Sequence, residues 1–388
     1  MRIVHVIPTY LPAVRYGGPL FTTHALCAAL AAHGHDVHVI TTNVDGPFES
    51  PVPLDRPVLM DGVQVHYYRV PHLRRLYWSP DMARALWTML PHASVLHMHS
   101  VFLAPTAMAA AVARQLRVPY LMAPRGALVP ELFRKKSLLL KTAWLQLIER
   151  QNLRGAALLH VTSEAEYADA SRLHVPLPPA CVVPNGVDVP VFDTLPEPSA
   201  RVQALTREPY VLFLGRVSWK KGLDRLLASL PGTPLRVLIA GNDDEGYTQV
   251  LTEQARALGV AAQVEPIGPV AGPDKWWLLQ RARCLALTSY NENFGNVVVE
   301  AMAAGTPVVV TPEVAAQSHV QAARAGLVVP GEPEPLRQAL MVYFRDDAQR
   351  ARAGRAGRAY ATEQLSWSGV ARQMLTHYEK LVSERARR

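Results

Sequence analysis

Leu287-Thr-Ser-Tyr-Asn-Glu-Asn-Phe-Gly-Asn-Val-Val-Val-Glu-Ala-Met-Ala-Ala-Gly-Thr-Pro-Val-Val-Val310 sets two carboxylates, Glu292 and Glu300, between two apolar runs. Cys284–Leu287 and Val308–Val310 are short, apolar and bounded by turn residues, the pattern of strands buried on both faces. Between them, Val297–Ala304 has the length and spacing of a short helix stopped by Gly305. Strand, loop, helix, strand is a βαβ unit, and such a unit implies a parallel sheet. Glu292 then falls in the loop at a strand's carboxyl end, and Glu300 about one turn into the next helix. Gly295 frees the backbone for close approach to a ligand, and the unpaired amides of a helix start suit an anion. Residue chemistry alone leaves two readings. One is a cradle, with amides for a phosphate and carboxylates for sugar or ribose hydroxyls. The other is an ordinary helix start, in which Glu292 favours the dipole and Glu300 is solvated.

The same alternation extends outward through the chain. Ile3–Ile7, Val37–Thr42, Val95–His99 and Tyr120–Ala123 read as strands, and Leu20–His33 as a helix stopped by Gly34. Residues Pro184–Pro209 lack periodicity and read as a linker. The rhythm then restarts with strands at Tyr210–Leu214 and Leu235–Ala240 and a helix at Leu223–Leu230. The expectation is an α/β protein of two Rossmann-like domains, residues 1–190 and 191–366. A basic helical tail, about 367–388, is able to pack back on the first. Two such domains facing a central cleft would place a site at the carboxyl ends of their strands.

At 388 residues the chain has room for two domains, and its half-hydrophobic composition fits a soluble globular protein. No apolar run nears the roughly 18 residues of a membrane span, and the apolar part of MRIVHVIPTY is too short for a signal peptide. Cys27, Cys181 and Cys284 are far apart with no Cys-x-x-Cys pair, which speaks against a zinc or disulfide framework and for the cytoplasm. The 40 Lys+Arg against 32 Asp+Glu favour anionic partners. Few aromatics and no recognisable module speak against nucleic acid.

Further stretches carry chemistry. Phe213-Leu-Gly-Arg-Val-Ser-Trp-Lys-Lys-Gly-Leu-Asp224 clusters Arg216, Lys220 and Lys221 after a buried strand, where cations would grip a diphosphate and offset its charge as it leaves. Gly17 and Gly18, before the first helix, are a weak sign of close ligand approach, and the absence of Gly-x-Gly-x-x-Gly lowers the case for a dinucleotide oxidoreductase. His33, His35 and His38 flank a helix stop and a strand rather than marking a metal. His97-x-His99 ends a strand, making His99 a candidate on the acceptor side. Phe133–Arg150 is basic and then apolar, with Leu140, Trp144, Leu147 and Ile148 on one helical face. That pattern suits either a core helix or a seat on an anionic bilayer.

In order along the chain stand Gly17-Gly18, Val183-Pro-Asn-Gly-Val-Asp188, Gly215-Arg216 with Lys220-Lys221-Gly222, Ala240-Gly241-Asn242, Gly268-Pro269-Val270, and Glu292-x7-Glu300 within Glu-Asn-Phe-Gly-Asn. Together they resemble the GT4-type retaining glycosyltransferases of the GT-B fold, over nearly the whole chain. The resemblance implies that Arg216 and Lys221 bind the donor diphosphate, that Glu292 contacts the donor sugar, and that Glu300 holds the ribose. Backbone amides of Phe294, Gly295, Asn296 and Val297 would meet sugar and phosphate. Ile267 to Val270 would lie beside the base, and Gly17 and Gly18 over the diphosphate. Arg125, in Met122-Ala-Pro-Arg-Gly-Ala127, stands where many relatives carry a histidine near the donor sugar.

The resemblance further implies same-face attack, with the departing diphosphate taking the acceptor's proton. No Asp-x-Asp occurs in the chain, so cations would stand in for a metal and no cofactor is expected. The expected partners are a UDP- or GDP-sugar and a glycan or lipid-linked acceptor, in the cytoplasm or peripherally at its membrane. An epimerase of the same shape and a non-catalytic sugar-nucleotide-binding partner are the competing readings.

Overall fold

A computed structural model describes residues 1–13, 15, 18–129, 142–243 and 245–387. The chain divides into two compact units, Met1–Gly186 with Trp367–Arg388, and Val187–Ser366.

In the first unit the strands are β1 (Arg2–Thr9), β2 (Asp36–Thr42), β3 (Val44–Asp45), β4 (Phe48–Glu49), β5 (Val58–Met60), β6 (Val63–Tyr68), β7 (Val95–His99), β8 (Tyr120–Ala123), β9 (Leu158–Val161) and β10 (Ala180–Val182). Eight of them form one sheet in the order β10-β9-β8-β7-β1-β2-β6-β5, parallel except at the β5–β6 edge. That edge turns through Asp61 and Gly62, both at positive φ, as a two-residue hairpin requires. β3 and β4 make a separate small ribbon. β1 and β7 are buried almost throughout, on both faces, because helices cover both sides of a parallel sheet.

Those helices start and stop for local reasons. Pro80–Met89 begins with Ser79 accepting from the Met82 amide and proline in its first turn. Ala104–Gln115 buries Ala109, Ala110 and Ala113, whose small side chains allow close contact with the sheet. The final helix, Trp367–Ala386, sets Val370, Met374, Tyr378 and Leu381 on one face and packs them with Leu26, Leu30 and Ile3.

The second unit is a six-stranded, wholly parallel sheet: β11 (Val211–Leu214), β12 (Val237–Ala240), β13 (Val264–Gly268), β14 (Cys284–Leu287), β15 (Val308–Val310) and β16 (Gly326–Val328), ordered β13-β12-β11-β14-β15-β16. Every residue of β11, β12, β14 and β15 is buried. The stretch 184–209 is not structureless. It holds the boundary between the units and a short helix, Ala200–Leu205, capped by Ser199 accepting from the Val202 amide. Its prolines mask that helix in the sequence.

Each sheet reverses direction of growth once: at β1, flanked by β2 and β7, and at β11, flanked by β12 and β14. Loops leaving the two neighbouring strands at such a point diverge and open a crevice at the carboxyl ends.

No described helix is long and apolar enough to cross a membrane. Of the basic–apolar stretch, residues 133–141, Leu140 included, lie outside the described residues. Beyond them Leu145–Glu149 is a π-helical turn running into the helix Arg150–Gly155. Of the expected stripe, Trp144 and Ile148 are half-buried while Leu147 is 70% exposed, so its described residues do not form one buried face. Trp144 spends its Nε1–H on the buried Glu149, which also accepts from the Phe102 amide.

Candidate functional site: two sheet reversals and their side chains

In the second unit the loop after β11 is stitched to the loop after β14. Gly222, at φ 61°, ends a 3-10 turn formed by Trp219–Lys221. A Cβ there would lie 2.0 Å from the Thr288 carbonyl oxygen, so only glycine fits. The Thr288 hydroxyl donates to the Gly222 carbonyl at 2.6 Å, and the Tyr290 amide to the Lys220 carbonyl at 2.8 Å. These ties bring the Lys221 ammonium onto a Glu292 oxygen as a close ion pair, each side chain about one-fifth exposed (20% and 19%). Arg216 is exposed on the same loop and has no acid partner among the described residues.

The loop bearing Glu292 is braced from its other side. The Glu292 amide donates to the Glu313 carbonyl at 3.0 Å, and the amides of Ala315 and Ala316 donate to the Glu292 and Phe294 carbonyls at 3.1 and 2.8 Å. Phe294 is buried, with its ring edge-on to His319. Gly295, at φ 94°, opens the helix Asn296–Ala304, whose second residue, Val297, is half-buried. One turn on, Glu300 pairs with Lys275 at 3.2 Å. Ile267 is buried with its carbonyl accepting from Arg201 at 2.9 Å, and Val270 is half-buried against the core. Arg216, Lys221, Glu292, Gly295 and Asn296 thus share the carboxyl end of one sheet at its reversal.

In the first unit Gly18 is exposed at the start of the helix Gly18–Ala32, and Gly17 lies outside the described residues. His99 closes β7 and is fully buried. Arg125 follows β8 with its backbone in the left-handed region, φ 54°, an uncommon conformation for a non-glycine residue. Its guanidinium donates to His99 Nδ1 at 3.1 Å and to Asn185 Oδ1 at 3.0 Å. His99 Nε2 in turn lies 2.9 Å from His5 Nδ1. A second chain runs beside it. Tyr378 meets His97 Nδ1 at 2.7 Å, His97 Nε2 meets His160 Nδ1 at 3.1 Å, and His160 Nε2 meets the Val183 carbonyl at 3.0 Å.

The partners fix the tautomers. Burial drives all four histidines down, His5 and His160 to about 3, so each is neutral with one N–H. A carbonyl only accepts, so His160 carries its proton on Nε2. His97 therefore donates to His160, and Tyr378 donates to His97. An arginine only donates, so His99 accepts at Nδ1 and donates from Nε2 to His5. His5 is left with a buried Nε2–H that has no partner among the described residues. Nitrogens of His5, His97 and His99 lie within 4.8 Å of one another, but each lone pair is already accepting a hydrogen bond, and the Arg125 cation abuts the group. The trio offers a cation no free ligand atom. His33, His35 and His38 part company: His33 meets Ser368, His35 the terminal amine, and His38 pairs with His66 and Asp36.

His5, His160 and Lys275 escape a reading of the sequence, and Asn185 appears there only within the motif Val183–Asp188, without its tie to Arg125. The i, i+2 spacing of His97 and His99 shows that both share one face of a strand. That His5 pairs with His97 in register across β1 and β7 is a tertiary fact.

Two family models match in tandem: a glycosyl transferase 4-like domain over residues 17–186 and glycosyl transferases group 1 over residues 197–360. The chain belongs to the GT4-type glycosyltransferases. Among curated members it is 30% identical to a D-inositol 3-phosphate glycosyltransferase of Corynebacterium urealyticum, over 61% of this chain and 59% of that one. It is 34% identical to a phosphatidyl-myo-inositol mannosyltransferase of Mycobacterium leprae, over 53% and 54%. The chain thus spans little more than half the length of these glycosyltransferases.

Among solved structures, Anabaena HepE in complex with UDP superposes with a TM-score of 0.76 at 20% identity, over 98% of this chain and 100% of that one. The sucrose-phosphate synthase of Thermosynechococcus elongatus gives 0.71 at 22%, over 99% of both. The fold is therefore that of the GT-B glycosyltransferases.

Proposed function

We propose that the protein transfers a sugar from a nucleotide-diphosphate sugar to a glycan or lipid-linked acceptor in cell-surface polysaccharide or glycolipid synthesis. The observation that carries this reading is the reversal of the second sheet. There an exposed Arg216 with no acid partner among the described residues, an ion-paired Lys221–Glu292 and a glycine-opened helix start share the carboxyl ends of the neighbouring strands β11 and β14. In this reading the diphosphate takes Arg216 and draws Lys221 from Glu292, freeing that carboxylate for a donor-sugar hydroxyl. The amides from Phe294 to Val297 add partial positive charge. Glu300, steadied by Lys275, accepts from the ribose, and the Ile267–Val270 turn borders the base. In the first unit Gly17, Gly18 and Arg125 are the donor-binding candidates, and His99, hydrogen-bonded to Arg125, is the acceptor-side candidate. The family resemblance implies that Glu292 and Glu300 bind hydroxyls rather than attack the anomeric carbon, and with it retention by same-face transfer. UDP is the favoured nucleotide, since HepE is described with UDP and with UDP-glucose. The inositol-bearing acceptors named for the curated relatives make a phosphate-bearing polyol headgroup the acceptor class to try first.

The test is a thermal-shift screen with UDP, GDP, ADP and dTDP on the protein and on Arg216→Ala and Glu300→Ala. A ligand at 100 times its dissociation constant adds about 2.7 kcal/mol of stability. A shift with one nucleotide that is lost in both variants is expected. No shift with any of the four overturns the donor-site reading.

A further inference from the structure

The first unit also has a cavity at the opposite, amino ends of its strands. This cavity, of 780 Å³, opens where the helices Ala104–Gln115, Arg150–Gly155 and Trp367–Ala386 all end, beside the start of β8. Its walls carry four arginines, Arg114, Arg117, Arg154 and Arg385, against one carboxylate, Glu384. Three of the four stand in the last turn of a helix, where a cation offsets the helix dipole. Three helix ends at about half a negative charge each, with Glu384, still fall short of four positive charges.

Two of the arginines are also tied down and two are not. Arg114 donates to Asn152 Oδ1 at 2.8 Å and Arg385 to the Ala93 carbonyl at 3.2 Å. The guanidiniums of Arg117 and Arg154 are exposed and meet no acid or carbonyl among the described residues. Arg117, moreover, occupies the position just past the helix end with φ 53°, a left-handed conformation for which glycine is the usual choice. The second unit provides a contrast. Its cavity of 390 Å³ also carries four arginines, but there Arg283 and Arg350 share Asp347, and Arg281 lies 3.9 Å over the Trp277 ring.

We infer that the cavity at the start of β8 binds a phosphate-bearing ligand of at least two negative charges, with Arg117 and Arg154 gripping the phosphate oxygens. Its volume is that of a small-molecule site, and Leu116, Val118 and Leu381 give it an apolar floor for an organic body. The site lies at the amino end of β8, whereas His99 closes β7 and Arg125 follows β8 at the carboxyl ends, so it does not depend on the proposed donor site. A free organic phosphate and an anionic lipid headgroup share this chemistry.

The test uses Arg117→Gln/Arg154→Gln, which removes charge and keeps length, alongside Arg216→Ala, which disables the proposed donor site. Inorganic pyrophosphate is titrated calorimetrically into the full chain and both variants. Flotation is measured with phosphatidylcholine vesicles with and without phosphatidylglycerol. The expected result is pyrophosphate binding that survives Arg216→Ala and weakens at least tenfold in the double glutamine variant. If flotation with anionic vesicles falls in parallel, the ligand is a headgroup; if flotation is unchanged, it is a free phosphate. Pyrophosphate binding and flotation both unaltered in the double glutamine variant, or neither seen with the unsubstituted protein, overturns the inference.

Discussion

His5 and His160 are held neutral in the core while their unfolded counterparts take up protons near pH 6.5. Burial pushes both down to about 3. Between roughly pH 6.5 and 3 the unfolded chain therefore binds more protons than the folded one, and stability falls as pH falls. Each histidine contributes a slope of about 1.4 kcal/mol per pH unit in that window; above it their contribution is constant. Thermal midpoints measured from pH 7.5 to 5 should be level at the top and drop steeply below about 6.5. His160→Gln should flatten the drop and lower the midpoint at pH 7.5. At this scale the sequence is legible where chemistry is local. Glu292, Arg216 and Lys221 announce themselves by residue type beside a strand end. The lysine that steadies Glu300 leaves no local mark, and although His99 and Asn185 stand in stretches the sequence singles out, their joint hold on Arg125 is a tertiary fact.

The loops at the sheet reversal are precise because backbone meets backbone. Gly222→Ala would drive a methyl to 2.0 Å from the Thr288 carbonyl oxygen, in a conformation alanine resists. Gly259 has a similar φ, 70°, with nothing within 4 Å of its missing Cβ. Gly259→Ala should cost about 1 kcal/mol from backbone conformation alone. Gly222→Ala should cost about 3 kcal/mol or more from strain plus overpacking, read as denaturant midpoints at constant slope. Only the Gly222 variant should also weaken nucleotide binding, because its loop carries Lys221. Elements themselves are written plainly in the sequence wherever both faces of a strand are apolar, as in β11, β12, β14 and β15. The short helix after Ser199 is not, since the prolines around it give the signal of a linker and its six residues are too few to show a period.

Across the whole molecule, the first unit is discontinuous: Trp367–Arg388 belongs with Met1–Gly186, while Val187–Ser366 is continuous. The last helix buries Val370, Ala371, Met374, Leu375, Tyr378 and Leu381. At about 1.5–3 kcal/mol per large apolar side chain, that is on the order of 10 kcal/mol, comparable with the whole net stability of a domain. Removing residues 367–388 should therefore strip hydrogen-exchange protection from β1, β2 and β7 and leave β11, β12 and β14 protected. The alternation of strands and helices predicts two α/β halves, but a helix written at one end of the chain does not say which half it completes. During synthesis this order sets a schedule. The second unit has all it needs once Ser366 has left the ribosome, whereas the first unit, whose strands emerge before it, must wait for Trp367–Ala386. A chaperone that shields β1, β7 and the helix Gly18–Ala32 would have its longest task on the part of the protein that was made earliest.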